Sequence, residues 1–376
     1  MYRLKIGVLT PSYAPAPGGA ANYYSLLAEH LARDSANEFV EVVTEQYPGQ
    51  SLRLVNHDGK LIVRRCFNYR AGRAVRDWRS YVDYASQCLS LSRVGNLLRP
   101  DLDVILVHAQ FHYNPTLLNM GIRALRRTRN NRIRLILDVR DPLMSPNKIS
   151  SADLYDDIIC CSRNTLDHMK RVVGTSRPTH LIPIPFQPPQ IDRNRENEVC
   201  RKYGLENKDF LLATNGMQRS KGVDLCLEVT RALQERWPGI TLVVAGRRRD
   251  WDAKYETAQR RGLLRYIGMV PNRDLLTLAA KSKLHINPSP IEGLPRASLE
   301  AIAVGAPVLL PPNVPEFEES VPELIAHSID LKKLAAQAAR IIERGETAKA
   351  YPVERHYIHN VLREYIDLFS GVRSTN

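Results

Sequence analysis

Residues Leu284–Leu310 run LHINPSPIEGLPRASLEAIAVGAPVLL. The apolar residues from Leu284 to Asn287 predict a short strand, the Pro- and Gly-rich residues after them a loop, and the run from Arg296 to Val304 a helix. Gly305 just past the helix and Pro307 two residues on stop it, and Val308 to Leu310 begin the next strand. A strand, a loop and a helix in that order leave the first helical amides unpaired and pointing outward, which makes a cradle for an anion. Two carboxylates bracket the loop, Glu292 at its tip and Glu300 one turn into the helix. Such a pair can be no more than a solvated loop residue and a surface helix residue. Beside an anion cradle it also suits a ligand with both phosphate and hydroxyls, and a sugar nucleotide is such a ligand.

Outward from this stretch, strand and helix patterns alternate in both directions. Toward the N-terminus lie expected strands at Phe210–Thr214 and Thr241–Ala245, with an amphipathic helix from Val223 to Arg236 between them and the run YIGMV, Tyr266–Val270, leading into a loop. Further back, strands are expected at Lys5–Leu9, Phe39–Thr44, Ile62–Val63, Val104–Val107, Leu135–Val139, Ile158–Cys161 and Leu181–Ile184. Toward the C-terminus, Leu331–Glu343 and Glu354–Phe369 read as helices, the second with Tyr357, Val361, Tyr365 and Phe369 as an apolar stripe. Alternation of this kind predicts parallel, doubly wound sheets, and such sheets bind ligands at the carboxyl ends of their strands. The polar residues there are therefore candidates: Gly18-Gly19 after the first strand, His108 and His112 after Val104–Val107, Arg140 and Asp141 after Leu135–Val139, and the basic loop Asn215–Gly222 with Arg219 and Lys221. Each has an ordinary reading as a turn glycine or a hydrogen-bonded or solvated loop residue. No G-x-G-x-x-G is present, so the dinucleotide fingerprint is absent. Asp274 is placed to cap the helix that follows it.

With 376 residues the chain has room for two domains. The proline-rich run IPIPFQPPQIDR, Ile182–Arg193, reads as a semi-rigid linker. It separates an N-terminal domain, 1–185, from a second domain, 186–350, with 351–376 as a helix returning to the first. The formal charge of +13 favours anionic partners: nucleotide diphosphates, anionic membrane or nucleic acid. Two arginine runs stand out in the first half: Arg64-Arg65, Arg70, Arg73, Arg76 and Arg79 near Tyr69 and Trp78, and then Arg123, Arg126, Arg127, Arg129, Arg132 and Arg134. Each is either a solvated helix face or a surface that meets anionic lipid or an anionic acceptor. No run reaches the ~18 apolar residues of a membrane span, and the start, MYRLKIGVLTPSY, reads as a first strand and not a signal peptide. The six cysteines form no C-x-x-C, which fits a reduced, cytoplasmic protein.

Pro288-Ser289, Glu292-Gly293, Leu299-Glu300-Ala301 and Gly305-Ala306-Pro307-Val308 together resemble the donor-site signature of the retaining glycosyltransferases of family 4, with its E-x7-E spacing kept. The resemblance extends over nearly the whole chain, and its specific part is Asn215–Pro307. It implies a GT-B fold, two Rossmann-like doubly wound α/β domains facing a central cleft. It also implies transfer of a sugar from a UDP- or GDP-sugar to a hydroxyl, with no separate cofactor. By the resemblance, Glu292 positions sugar hydroxyls and Glu300 holds the ribose. Backbone of Met269 and Val270 lines the base pocket, Gly18-Gly19 faces the donor phosphate across the cleft, and Lys221 neutralises the diphosphate. The chain departs from the family at several places. Met217 stands where an arginine is expected, leaving Arg219 to supply the charge. Arg140 stands where many members have a histidine; it cannot act as a base but can bind phosphate or carboxylate. Ile184-Pro185 replaces an Asn-Gly turn. Pro295 removes one amide from the cradle, which then rests on Leu294, Arg296 and the first turn of the helix with Ser298 and Leu299.

The reading that follows is a retaining, metal-independent glycosyltransferase of cell-surface polysaccharide or glycolipid synthesis. Its acceptor would be lipid-linked or a saccharide, with peripheral contact at the inner face of an anionic membrane and nucleic acid not the expected partner. Asp101-Leu102-Asp103, the clearest Asp-x-Asp triplet, precedes its strand and so reads as turn residues at the wrong end of the sheet. Two rivals are a sugar-nucleotide epimerase of the same architecture and a non-catalytic basic protein that binds nucleic acid or membrane.

Overall fold

The computed structural model describes residues 2–16, 18–47, 49–67, 94–109, 115–128, 133–140, 151–326 and 330–371. His112, Asp141, Arg129, Arg132 and the arginines from Arg70 to Arg79 lie outside the described residues. The chain divides into two units: Met1–Phe186 with His356–Asn376, and Gln187–Arg355.

The first unit is built on an eight-stranded sheet. In chain order its strands are β1 (Leu4–Leu9), β2 (Asn37–Glu45), β3 (Arg53–Asn56), β4 (Leu61–Phe67), β5 (Val104–His108), β6 (Arg134–Val139), β7 (Asp157–Cys160) and β8 (Thr179–Leu181), arranged β3-β4-β2-β1-β5-β6-β7-β8. Seven are parallel, and their near-continuous apolar runs follow from burial on both faces. Ile6, for example, is in register with Val40 on one side and Val104 on the other. β3 pairs antiparallel with β4 at the edge, and all four of its residues are exposed. With no buried face it carries no apolar alternation, which is why the sequence reading has no strand there. β8 begins and ends earlier than the expected Leu181–Ile184. Pro183 and Pro185 have no amide to give a ladder, and the last bond is Ile182 N–H to Cys160 O at 3.0 Å. No disulfide joins any two of the five described cysteines.

The helix Gly19–Arg33 packs Tyr23, Tyr24, Leu27 and Leu31 on this sheet. The helix Ile358–Phe369 buries Val361, Tyr365, Leu368 and Phe369 in the same cluster, and the Tyr365 and Tyr23 hydroxyls share a hydrogen bond. That last helix starts four residues later than its periodicity suggests. Tyr357 is extended, because Phe186 N–H donates to His356 O at 2.9 Å and Ile358 N–H to Phe186 O at 3.0 Å, so the two passages of the chain at 186 and 357 form one bridge. Arg126 and Arg134, read as part of a basic surface, instead turn to carboxylates of their own unit, Asp156 and Asp157, each at 2.8 Å. No helix among the described residues is long and apolar enough to cross a membrane.

The second unit has a five-stranded parallel sheet: β9 (Phe210–Ala213), β10 (Thr241–Ala245), β11 (Leu264–Gly268), β12 (Leu284–Ile286) and β13 (Val308–Leu309), in the order β11-β10-β9-β12-β13. The chain winds from β9 outward through β10 to β11, then returns to the other side of β9 for β12 and β13. The reversal between β9 and β12 is the topological switch point, where loops leaving the two strands diverge and open a crevice. Asp274 does not cap the helix Asn272–Lys281. Pro271 holds the cap position, and the Asp274 carboxylate lies buried with Lys202 Nζ at 2.7 Å and Tyr203 OH at 3.0 Å, which together hold its pKa below the usual carboxylate value.

His285 sits wholly buried in β12, with Nε2 3.0 Å from Thr214 Oγ1, and burial pushes its pKa down to about 4. The unfolded chain takes up this proton near the ordinary histidine value of about 6.5, the folded chain only near 4. The resulting stability is whole above pH 6.5 and is lost as pH falls from there to about 4, by up to roughly 3 kcal/mol. Thermal midpoints measured across that window should fall more steeply for the native chain than for His285→Leu; parallel curves would show that His285 is not the group concerned.

Candidate functional site

The carboxyl ends of β9 and β10 are held together by two glycines. Gly216 has φ +69°, and a Cβ on it would lie 2.5 Å from Arg247 O; a Cβ on Gly246 would lie 2.8 Å from Gly216 N. Gly216 N–H donates to Ala245 O and Met217 N–H to Arg247 O, both at 2.9 Å. No side chain fits between these backbones. Past this lock comes a 3-10 turn, Arg219–Lys221, and then Gly222 at φ +80°, with Pro288 directly against its Cα. That approach brings the loop after β9 onto the loop after β12. Lys221 Nζ reaches Glu292 Oε1 at 2.9 Å and Ile291 O at 3.3 Å. The Glu292 side chain is only 12% exposed, and Lys221 is the cation that faces it.

Deeper in the crevice Asn287 is buried and makes three side-chain hydrogen bonds. Its Oδ1 accepts from Asn215 Nδ2 at 2.7 Å and from Ser289 N–H at 3.3 Å, and its Nδ2 donates to Ser298 Oγ at 3.1 Å. Ser298 lies in the first turn of the helix Arg296–Ala303. One turn on, Glu300 Oε1 accepts from Arg296 Nε at 2.9 Å and from Asn272 Nδ2 at 3.2 Å. Asn272 opens the helix that follows Met269-Val270-Pro271, so the loop after β11 joins the same group. Met269 is 59% exposed there, whereas Leu294, Ser298 and Leu299 are buried. Leu294 and Leu299 therefore act by packing. Arg296 Nη1 is buried and has no hydrogen-bond partner among the described residues.

Sequence reasoning placed Arg219 with Lys221, and the structure separates them. The Arg219 guanidinium, half exposed, turns to Asp252 and lies 3.9 Å from Asp224, while its backbone N–H donates to Asp250 at 2.8 Å. Met217, at the position where an arginine was expected, is wholly buried and bridges by backbone to Arg248, which lies 3.9 Å over the Trp251 ring. Asn215, Asn272 and Asn287 were missed; all three stand just past a strand or open a helix, positions where an amide can bind neighbouring backbone and side chains.

In the first unit His108 ends β5 and Arg140 follows β6. His108 is buried, Nδ1 3.4 Å from Thr10 Oγ1, its ring 4.9 Å from that of Tyr24. Arg140 lies 3.3 Å over the Tyr23 ring with Nη1 3.5 Å from Asp138 Oδ2, and the Tyr24 hydroxyl donates to the same oxygen at 2.6 Å. Burial opposes its charge, but Tyr23 and Asp138 outweigh that and raise its pKa well above the ordinary value. Gly18 holds the N-cap of the helix Gly19–Arg33 at φ 133°, and a Cβ on Gly19 would meet open space. Asp101 and Asp103 lie in the turn before β5. Asp101 pairs with Arg99 at 2.9 Å, which holds its pKa near 2, and Asp103 accepts from Lys5 N–H at 2.8 Å. Among the described residues no group of three or more His, Cys, Asp or Glu is placed to hold a metal ion.

Comparison with known proteins bears on both units. Residues 208–344 match the family model described as Glycosyl transferases group 1. O-antigen chain mannosyltransferase B of Escherichia coli is 29% identical over 156 residues, 39% of this chain and 40% of that protein, so the chain matches less than half the length of this curated relative. Among solved structures, sucrose-phosphate synthase from Thermosynechococcus elongatus superposes with a TM-score of 0.74 at 16% identity, over 98% of this chain and 99% of that one. Anabaena HepE in complex with UDP-glucose gives 0.70 at 16% identity, over 98% and 100%. The fold is GT-B: mixed α/β with two parallel sheets, shared with these structures over nearly the whole chain.

The glycine lock makes a prediction. Gly216→Ala should cost roughly 2 kcal/mol or more, combining left-handed strain with a backbone clash. Gly345→Ala, at φ +58° with nothing within 4 Å, should cost only the strain, about 1 kcal/mol. Denaturant unfolding of the two variants measures the difference, and equal losses would mean that the Gly216–Gly246 contact is not close in solution.

Proposed function

We propose that the chain is a retaining glycosyltransferase that moves a sugar from a nucleoside-diphosphate donor to a hydroxyl of a saccharide or lipid-linked saccharide, without a metal ion, in surface polysaccharide or glycolipid assembly. One observation carries this reading. Lys221–Glu292 and Asn272–Arg296–Glu300 gather at the switch point of one sheet, inside the segment matching the Glycosyl transferases group 1 model. The HepE structure solved with UDP-glucose and the mannosyltransferase relative support a nucleotide sugar as donor and a saccharide as acceptor.

The residues divide the work as follows. An ammonium has three protons to donate. Lys221 uses two on Glu292 and Ile291 O, and the third serves a diphosphate oxygen. Arg296, with Nη1 unspent, and the first turn of its helix add positive potential where the diphosphate departs with the bonding electrons. Glu300, already turned by Asn272 and Arg296, accepts from the ribose hydroxyls. Glu292 accepts from hydroxyls of the sugar and keeps it oriented. The acceptor oxygen forms its bond to the anomeric carbon on the face the diphosphate leaves, and its proton passes to the departing phosphate oxygen. Arg123 and Arg127, exposed on the helix Pro115–Thr128, would meet an anionic acceptor or membrane surface on this reading.

A thermal-shift screen of UDP, GDP and their sugars identifies the donor. With that donor, Lys221→Ala and Glu300→Ala should each weaken binding about tenfold or more, the worth of one charge-assisted hydrogen bond. Melting without ligand should also fall, because each change leaves a largely buried partner, Glu292 or Arg296, without its opposite charge, so affinities are compared on the folded protein well below the melting range. Glu292→Ala should lower turnover more than nucleotide affinity. Unchanged kinetics in both Lys221→Ala and Glu300→Ala would sink the site assignment.

A further inference from the structure

The second unit has a concavity at the opposite edge of its sheet from the crevice just described. Its volume is about 810 Å³, and it lies among the segments that enter β9, β10 and β11. Lys208 comes from the run before β9, Gln259 from the last turn of the helix Ala253–Arg260, Arg261 from the turn before β11, and Arg265 and Tyr266 from β11 itself. β10 has five residues, so roughly 13 Å of strand separates this edge from the carboxyl ends.

The charge there is one-sided. Lys208, Arg261 and Arg265 line the cavity, and no acidic residue does. None of the three pairs with a carboxylate among the described residues. The acids nearest Lys208 in sequence are taken: Glu206 by Arg201 at 3.2 Å and Asp209 by Lys283 at 3.3 Å. Arg265 is held in place by a bond from Nε to Tyr203 O, with its guanidinium against Gly204. Cations often gather where helices end, because the terminal carbonyls attract them. The helices Val223–Leu233 and Ala253–Arg260 do end here, but their last turns contain Arg231 and Arg260. The two helix ends together amount to about one negative charge, against three cations converging on the cavity.

We propose that this cavity is a second ligand site, for a small phosphorylated molecule. Guanidinium groups match phosphate oxygens bidentately, and Arg261 and Arg265 supply two of them. The volume falls within the range of about 300–1,000 Å³ found for small-molecule sites. Pro238 adds an apolar surface to the lining, against which the carbon skeleton of a sugar phosphate would rest. The site is independent of the crevice: it uses other residues, at the other end of the same strands.

Hydrogen–deuterium exchange on the full chain tests it, with inorganic pyrophosphate, ribose 5-phosphate and ribose as probes at millimolar concentration. Pyrophosphate, ribose 5-phosphate or both should slow exchange in the peptide spanning Gln259–Tyr266, and ribose should not. Protection by one phosphate probe alone tells whether the phosphate or its ester is preferred. In the double variant Lys208→Ala/Arg261→Ala the concentration needed should rise at least tenfold, and Arg261→Lys should retain part of the effect. Both residues are exposed, so melting of the double variant without ligand should match the native chain. No protection by either phosphate probe, protection by ribose, or protection unchanged in the double variant overturns the proposal.

Discussion

One buried amide ties the candidate site together. Asn287 is 1% exposed, and a buried amide left without partners would cost about 1–3 kcal/mol for each unmet group. It meets that demand with three different segments: Asn215 from the loop after β9, Ser289 from its own loop and Ser298 from the helix Arg296–Ala303. The requirement that this side chain be satisfied therefore sets where the two loops and the helix lie relative to one another. Lys221–Glu292 stands on one side of it and Arg296–Glu300 on the other, and both pairs inherit their positions from it. Gly216, Gly246 and Gly222 make the arrangement sterically possible, because backbone approaches backbone at the first two and Pro288 at the third.

Much of this was legible in the residues, for a physical reason. Strands of a parallel sheet are buried on both faces, so β1, β2, β5, β6, β9 and β10 read as apolar runs, and the helices between them read from periodicity. The position of Glu292 and Glu300 around a loop follows from the Pro and Gly that bound it. What could not be read is which polar groups find one another across loops. Arg219 and Lys221 are two residues apart and were expected to work together, yet a 3-10 turn sends one to Asp252 and the other to Glu292. Asp274 has the sequence position of a cap, but Lys202 and Tyr203, some seventy residues earlier, claim its carboxylate. β3 was invisible because a solvated edge strand needs no apolar pattern. These outcomes depend on long-range neighbours, which local spacing does not encode.

The same limit applies to charge. The chain has 53 Lys and Arg against 40 Asp and Glu, an excess that invites the idea of a basic surface. In the first unit the structure uses several of those cations internally. Arg64 pairs with Glu41, Arg126 with Asp156, Arg134 with Asp157 and Arg140 with Asp138. Removing a carboxylate from one of the buried pairs would strand an uncompensated charge, so these arginines are bound to the fold before they are available to any ligand. A count of basic residues therefore overstates what an anion can find. The informative cations are those whose carboxylates are absent or whose hydrogen bonds are unspent. Arg296 meets that test at the carboxyl edge of the second sheet, and Lys208, Arg261 and Arg265 meet it at the amino edge. On the proposed reading, an anion at the second unit would find two separate sets of donors on one sheet, the groups that internal carboxylates have not already claimed.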